Sequence, residues 1–167
     1  MDPALLSIFA TSSTLLQNFY IIIFPTMLIG EFDGRLTDKN RLAIPKKIRD
    51  ELKDGLFLSR GYEGCLLLMD KTGWSSFENL INEKSILSLS LRDTKRFIFG
   101  GAFELELDSQ GRFVLPNSLL TYAQIKSDVV FIAIKDWVEI WDKSSWENKL
   151  AEIIKTAPDL AEQLLSK

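Results

Sequence analysis

The sequence predicts an α+β fold, mostly β, made of two equivalent halves with flanking helices. Three observations predict it. Leu36 to Pro45 reads Leu-Thr-Asp-Lys-Asn-Arg-Leu-Ala-Ile-Pro, and Leu107 to Pro116 reads Leu-Asp-Ser-Gln-Gly-Arg-Phe-Val-Leu-Pro, at a constant offset of 71 residues. Asp70-Lys71-Thr72-Gly73-Trp74 returns as Asp142-Lys143-Ser144-Ser145-Trp146 at an offset of 72, so one insertion separates the two anchors. Gly30 and Phe32 also match Gly101 and Phe103. A period this long exceeds a solenoid unit and fits a duplicated half-domain.

Each element of the first half follows from local chemistry. Glu31 to Leu36 reads as a short strand. Thr37 to Asn40 is small and polar, and Asn40 tolerates a left-handed backbone. Gly111 stands at the matching place and takes positive φ without steric cost. Arg41 to Ile44 and Arg112 to Leu115 are the returning strands, with Leu42 and Ile44 on one side and Arg41 and Ala43 on the other. Pro45 and Pro116 stop them. Proline suits the first turn of a helix, and Ile48 and Leu52 stand four apart beyond Pro45. Leu56 to Leu58 and Cys65 to Met69 form a hairpin around the glycine-bearing loop 59–64. In the second half Val129 to Ile134, a turn at Asp136, and Val138 to Trp141 correspond. Helices are expected over Trp74–Lys84 and Ser145–Lys155, with a basic helical stretch, Arg92 to Phe97, joining the halves. The tail 151–167 is either a weak amphipathic helix or a frayed end, interrupted by Pro158.

A chain of 167 residues is long enough to bury a core as one unit. Its net charge of −3 means that nucleic-acid binding would need a local patch. One such stretch exists. From Arg35 to Lys53 the basic residues Arg35, Lys39, Arg41, Lys46, Lys47, Arg49 and Lys53 outweigh Asp38, Asp50 and Glu51, for a net +4. The equivalent stretch, Glu106 to Gln124, has a net charge of −1. Only the first half therefore presents a surface that phosphates favour. The bland reading of Lys46, Lys47 and Arg49 is the solvated face of a short helix; the asymmetry between the halves raises the DNA reading above it.

Enzymatic readings find no support. The chain has no histidine and one cysteine, so it has neither an internal disulfide nor a metal-ligand spacing. Cys65, beside an apolar run, reads as a buried structural residue without an activating base. No phosphate loop or nucleophile–base pair is present, and no catalytic residue, cofactor or small-molecule substrate is assigned. Trp74 and Trp146 read as core; Trp137 and Trp141 read as core or as contacts between subunits.

Pro3 to Gly30 carries no charge, and Tyr20 to Phe24 is strongly apolar. Polar residues from Ser7 to Asn18 dilute a membrane span, and no basic n-region precedes it. The segment 1–26 reads as an upstream extension outside the fold, with Met27 as an alternative start; a membrane anchor is the competing reading.

Three lines of sequence resemble the MraZ family, a duplicated relative of the AbrB-type DNA-binding fold. They are Gly-Glu-Phe-x-x-x-Leu-x-x-Lys-x-Arg-Leu-Ala-Ile-Pro at Gly30 to Pro45, Phe-x-x-Gly-Ala at Phe97 to Ala102, and Leu-Asp-x-Gln-Gly-Arg-x-x-Leu-Pro at Leu107 to Pro116. The resemblance spans Met27 to about Leu150. It implies a duplicated AbrB-like swapped-hairpin fold, or double-split barrel. It divides the chain into an extension (1–26), a first, DNA-facing repeat (27–75), linking helices (76–100), a second repeat (101–147) and a C-terminal helix or tail (148–167). The family hallmark is Asp-x-x-x-Arg in each half. The second half keeps it as Asp108 and Arg112; the first has Thr37 at the Asp position, with Asp38 beside it and Asn40 in place of Gly. Thr37 is expected to accept the turn hydrogen bond instead.

The resemblance further implies a cytoplasmic, nucleoid-associated bacterial regulator that binds direct repeats of double-stranded DNA upstream of the division and cell-wall gene cluster, as a ring-shaped homo-oligomer. The residues assigned to DNA are Arg35, Lys39, Arg41, Lys46, Lys47 and Arg49; those assigned to the turn and to assembly are Asp108, Arg112, Thr37 and Asp38. Arg112 is read mainly as an internal ion pair, Arg41 mainly as a phosphate or guanine contact. Hairpins with few covering helices expose strand edges, which exchange between halves and contact with neighbours would close. The alternative function is an antitoxin-like or ring-forming interaction module on the same scaffold.

Overall fold

The computed structural model of the protein describes residues 28–52, 55–82 and 88–165. The extension 1–26, Lys53 and the expected helix end at Lys84 lie outside them. Among the described residues eight strands and five α-helices follow one another as β1 (Ile29–Thr37), β2 (Arg41–Ala43), α1 (Lys46–Glu51), β3 (Leu56–Arg60), β4 (Leu66–Asp70), α2 (Lys71–Asn82), α3 (Leu89–Ile98), β5 (Phe103–Leu105), β6 (Arg112–Val114), α4 (Asn117–Tyr122), β7 (Asp128–Ile134), β8 (Trp137–Asp142) and α5 (Lys143–Leu165). Each half is thus strand, strand, short helix, strand, strand, helix, as the repeat predicts. Pro45 and Pro116 stand just before α1 and α4, at ψ near 138, rather than inside the first turn.

The halves are interlocked by exchange. The sheet order is β5-β3-β4-β8-β7-β1-β2-β6. β1 of the first half pairs antiparallel with β7 of the second, from Ile29 opposite Ile134 to Arg35 opposite Asp128. β5 of the second half pairs with β3 of the first, with Phe103 opposite Leu58. The other contacts between halves join equivalent strands. Leu42 faces Phe113 across β2–β6, and these occupy the same place in the two repeats. Leu67 likewise faces its counterpart Glu139 across β4–β8. Equivalent residues face one another where a pseudo-twofold axis crosses a strand pair, so one such axis runs through both. The hairpin returns obey the same symmetry: Ile44 N–H donates to the Gly111 carbonyl at 3.0 Å, and Leu115 N–H to the Asn40 carbonyl at 2.7 Å.

The open strand edges expected from the sequence are largely taken up inside the chain. The end strands β5 and β6 are arms of one hairpin, linked where Asp108 N–H donates to the Arg112 carbonyl at 2.9 Å. The sheet thereby nearly closes into a barrel. Exchange between halves pairs most of the strand backbone within the chain.

Alternation along each strand fills that barrel. Leu42, Leu58, Leu66, Leu68, Phe131 and Ile140 are completely buried, joined by Ile48 from α1 and Leu119 from α4. Burial of side chains this size stabilises by roughly 1.5–3 kcal/mol each. A second apolar cluster lies on the outer face of β4 and β8: Cys65, Leu67, Met69 and Trp141, with Trp74, Phe77, Trp137 and Trp146 packed on it from α2, β8 and α5. Trp74 stacks on Phe57 at 5.2 Å, and Trp146 meets Trp141 at 5.7 Å. Cys65 is buried as expected, and burial, more than the nearby Glu139 charge, pushes its thiol up to about 12.

The helices differ from expectation at two places. α2 begins at Lys71, directly after β4, because the Asp70 carboxylate accepts Gly73 N–H at 2.8 Å and caps the first turn. α5 runs through Pro158 as one helix of 23 residues. Proline removes one backbone donor, but every residue from Ala151 to Leu160 is exposed, so water satisfies the freed carbonyl.

Candidate nucleic-acid interface

The two turns that carry the repeated arginines are built differently. In the second, Asp108 is the organising group. Its Oδ1 accepts Gln110 N–H at 2.9 Å and Arg112 N–H at 3.0 Å, and its Oδ2 accepts Arg112 Nε at 2.8 Å. Arg112 Nη2 lies 2.8 Å from the same oxygen. These bonds, the one from Arg112 backbone first, hold the Asp108 carboxyl below its ordinary value of 3.8. Gly111 takes φ +73, as its role in the turn requires.

The first turn keeps the path and loses the clamp. Lys39 and Asn40 both adopt positive φ, 62 and 56. Thr37 Oγ1 donates to the Arg41 carbonyl at 3.0 Å, so it serves the turn as a donor where an acceptor was expected. Asp38 is exposed and does not take over the role of Asp108. Among the described residues the Arg41 guanidinium has no carboxylate partner. It stands exposed on β2, free to meet a phosphate bidentately.

The six cations assigned from sequence do not form one surface. Arg41 and Ala43 face outward from β2, and Val114 and Arg112 outward from β6, with Arg41 opposite Val114 and Ala43 opposite Arg112. Arg41 and Arg112 therefore sit diagonally on one two-stranded ribbon. Lys39 extends this ribbon at the turn. Lys46 and Lys47 are exposed on α1: Lys46 pairs with Asp50, and Lys47 Nζ lies 5.5 Å above the Phe32 ring. Arg35 is on the other side of β1 from Phe32, 3.5 Å from Asp128. Exposed pairs of this kind are worth little, so they do not remove these cations from a phosphate's reach. Arg49 departs most. Its side chain is half-buried against the second hairpin, where a methyl group at Gly111 would overlap its guanidinium, and its buried Nε has no hydrogen-bond partner among the described residues.

Sequence reasoning thus missed two things: the place of Arg112 beside Arg41, and the inward turn of Arg49. The first was hidden because the ribbon is shared by both halves and no local pattern in either one pairs β2 with β6. The second had a signal, since Gly111 has no side chain to keep a neighbour away. Among the described residues no group of three or more His, Cys, Asp or Glu could hold a metal ion, and no helix is long and apolar enough to cross a membrane.

Comparison with known proteins covers the same span as this fold. A family model described as "MraZ protein, putative antitoxin-like" matches twice, over residues 27–97 and 98–164. Proteins named transcriptional regulator MraZ are similar over most of their length. The one from Herpetosiphon aurantiacus is 39% identical over 138 residues, 83% of this chain and 96% of that protein. The one from Pediococcus pentosaceus is 33% identical over 139 residues, 83% and 97%. The one from Clostridium acetobutylicum is 38% identical over 120 residues, 72% and 84%.

Proposed function

The chain belongs to the MraZ family, and from that premise we propose that it is a transcriptional regulator that binds double-stranded DNA through the first repeat and the shared β2–β6 ribbon. The observation that carries the reading is the contrast between the two arginines. Arg112 is neutralised by Asp108 at 2.8 Å, whereas Arg41 is exposed and has no acid against it among the described residues. Lys39 stands in the turn before it and Lys46 and Lys47 are exposed on α1, which follows β2, while Arg49 packs against Gly111 of the second turn. An acidic chain can bind a polyanion in this way because the potential that matters is local.

A single patch of this size is a weak site. We infer that protomers assemble in a ring that engages direct repeats upstream of a division and cell-wall gene cluster, in the cytoplasm and at the nucleoid. Several patches then gain through effective concentration without new contacts. With the strand edges taken up internally, side-chain surfaces must make that assembly. The exposed stripe of Ile153, Ile154 and Leu160 on α5 supports this part of the reading.

The test is a titration with DNA from upstream of the chain's own gene against scrambled DNA of equal length, repeated across salt. Sequence-matched binding that falls steeply with salt is expected. The alternative, favoured by the words "antitoxin-like" in the family description, is a module that meets an acidic protein; equal binding to both DNAs, or none, would support it.

A further inference from the structure

At the far end of the pseudo-twofold axis from the β2–β6 ribbon, the two repeats diverge in a way that the DNA reading does not use. On the outer face of β4 the first repeat presents Cys65, Leu67 and Met69. The same positions on β8 carry Trp137, Glu139 and Trp141. A carboxylate flanked by two tryptophans has replaced an apolar row. The indole of Trp141 donates to Glu139 Oε2 at 2.9 Å, and that of Trp137 lies 3.4 Å from Oε1. Glu139 is half-buried, and among the described residues no cation pairs with it. Lys149 pairs instead with Glu63, which also lines the cleft, at 2.9 Å.

These side chains and Phe77 of α2 enclose a cleft of about 260 Å³. A carboxylate in apolar surroundings is costly unless a positive charge meets it. Two neutral indole donors orient Glu139 but leave its charge in place. Its field is felt inside the cleft: after burial, the Glu139 charge is the next cause that disfavours the Cys65 thiolate. Aromatic faces beside a carboxylate attract an ammonium by both the ring quadrupole and direct charge.

We propose that the cleft lined by Phe77, Trp137, Glu139 and Trp141 binds a small organic cation, an ammonium group carried on an apolar body. The site is independent of the DNA surface, so its failure would leave the regulatory reading untouched. An apolar-walled cleft with few convergent polar groups is the usual build of a small-ligand site; here they are Glu139 and, at the rim, Glu63, whose charge Lys149 already meets.

The test is a titration of the full chain with choline and with its neutral isostere 3,3-dimethylbutan-1-ol, followed by tryptophan fluorescence and by calorimetry. Choline should saturate, and the isostere should bind about tenfold more weakly or worse, the factor expected for one cation–π and charge contact. Glu139→Gln keeps one acceptor oxygen, enough for the closer Trp141 indole, and removes the charge; it should cost about tenfold in choline affinity, with the half-exposed site leaving the chain folded. Phe77→Leu should weaken choline more than the isostere. Equal binding of the two probes, no saturation by choline, or a folded Glu139→Gln chain with unchanged affinity would each overturn the proposal. If Glu139→Gln unfolds the chain, the comparison of the two probes on the wild type decides alone.

Discussion

Arg112 grips Asp108 with two nitrogens, Nε and Nη2, each 2.8 Å from Oδ2. Together with two backbone N–H groups on Oδ1, this stabilises the charged carboxylate and depresses its pKa in the folded chain below 3.8. The contribution is complete above the unfolded value and is lost as pH falls through the depressed folded value. The wild type should therefore lose stability on acidification below about pH 4 more steeply than Asp108→Asn. Thermal midpoints from pH 2 to 6 check this; parallel acid limbs for the two proteins would contradict it.

The free arginine should matter most for DNA. Arg41→Ala is expected to weaken binding and to lower the slope of log affinity against log salt by about one, as for one lost phosphate contact. Lys46→Ala combined with Lys47→Ala should do likewise. Thr37→Asp restores the acid of the second repeat to the first; it should stabilise the turn and yet reduce DNA affinity, because Arg41 becomes paired. Unchanged binding in all three variants, with loss in Arg112→Ala alone, would move the interface to the other repeat.

Gly111 and Arg49 should be energetically coupled. A side chain at Gly111 meets both a positive φ and the Arg49 guanidinium. Gly111→Ala should destabilise by about 1–3 kcal/mol. Arg49→Ala in the same chain should recover part of that loss, since it removes the clash and leaves only the backbone strain. A double-mutant cycle by denaturant unfolding measures the coupling; strict additivity would show that the two residues do not touch. Arg49→Ala alone should lower stability along with any effect on DNA, unlike Arg41→Ala.

Assembly should depend on α5. Ile154→Asp with Leu160→Asp places charge on a stripe that is already exposed, at 64% and 49%, so the monomer fold should survive. The oligomer should dissociate, and DNA binding should weaken through lost effective concentration. Light-scattering mass across a dilution series is the measurement. A variant with wild-type mass would remove α5 from the contact, and a monomeric wild type at micromolar concentration would remove the ring.

The repeat was legible because each half must build the same hairpins from the same local chemistry. A small polar turn with an αL-tolerant residue, an alternating strand and a stopping proline are written within ten residues of each other. The amino-acid order alone therefore determined the duplicated, mostly β architecture, the short helices after Pro45 and Pro116, the buried place of Cys65, and membership of a family. It also marked Thr37 as the departure that leaves Arg41 unclamped. Which residues share a surface was decided only by the tertiary structure. Strand exchange sends β1 to β7 and β5 to β3, so neighbours in space come from opposite halves. Arg112 joined Arg41 on one ribbon, Arg49 turned beneath Gly111, and Glu139 came to face Leu67 between two tryptophans. The tryptophans beside Glu139 are its neighbours on β8, but Leu67 opposite Glu139, Arg112 beside Arg41 and Gly111 against Arg49 all come from the other half of the chain, and a charge count along the chain does not see across a pseudo-twofold axis.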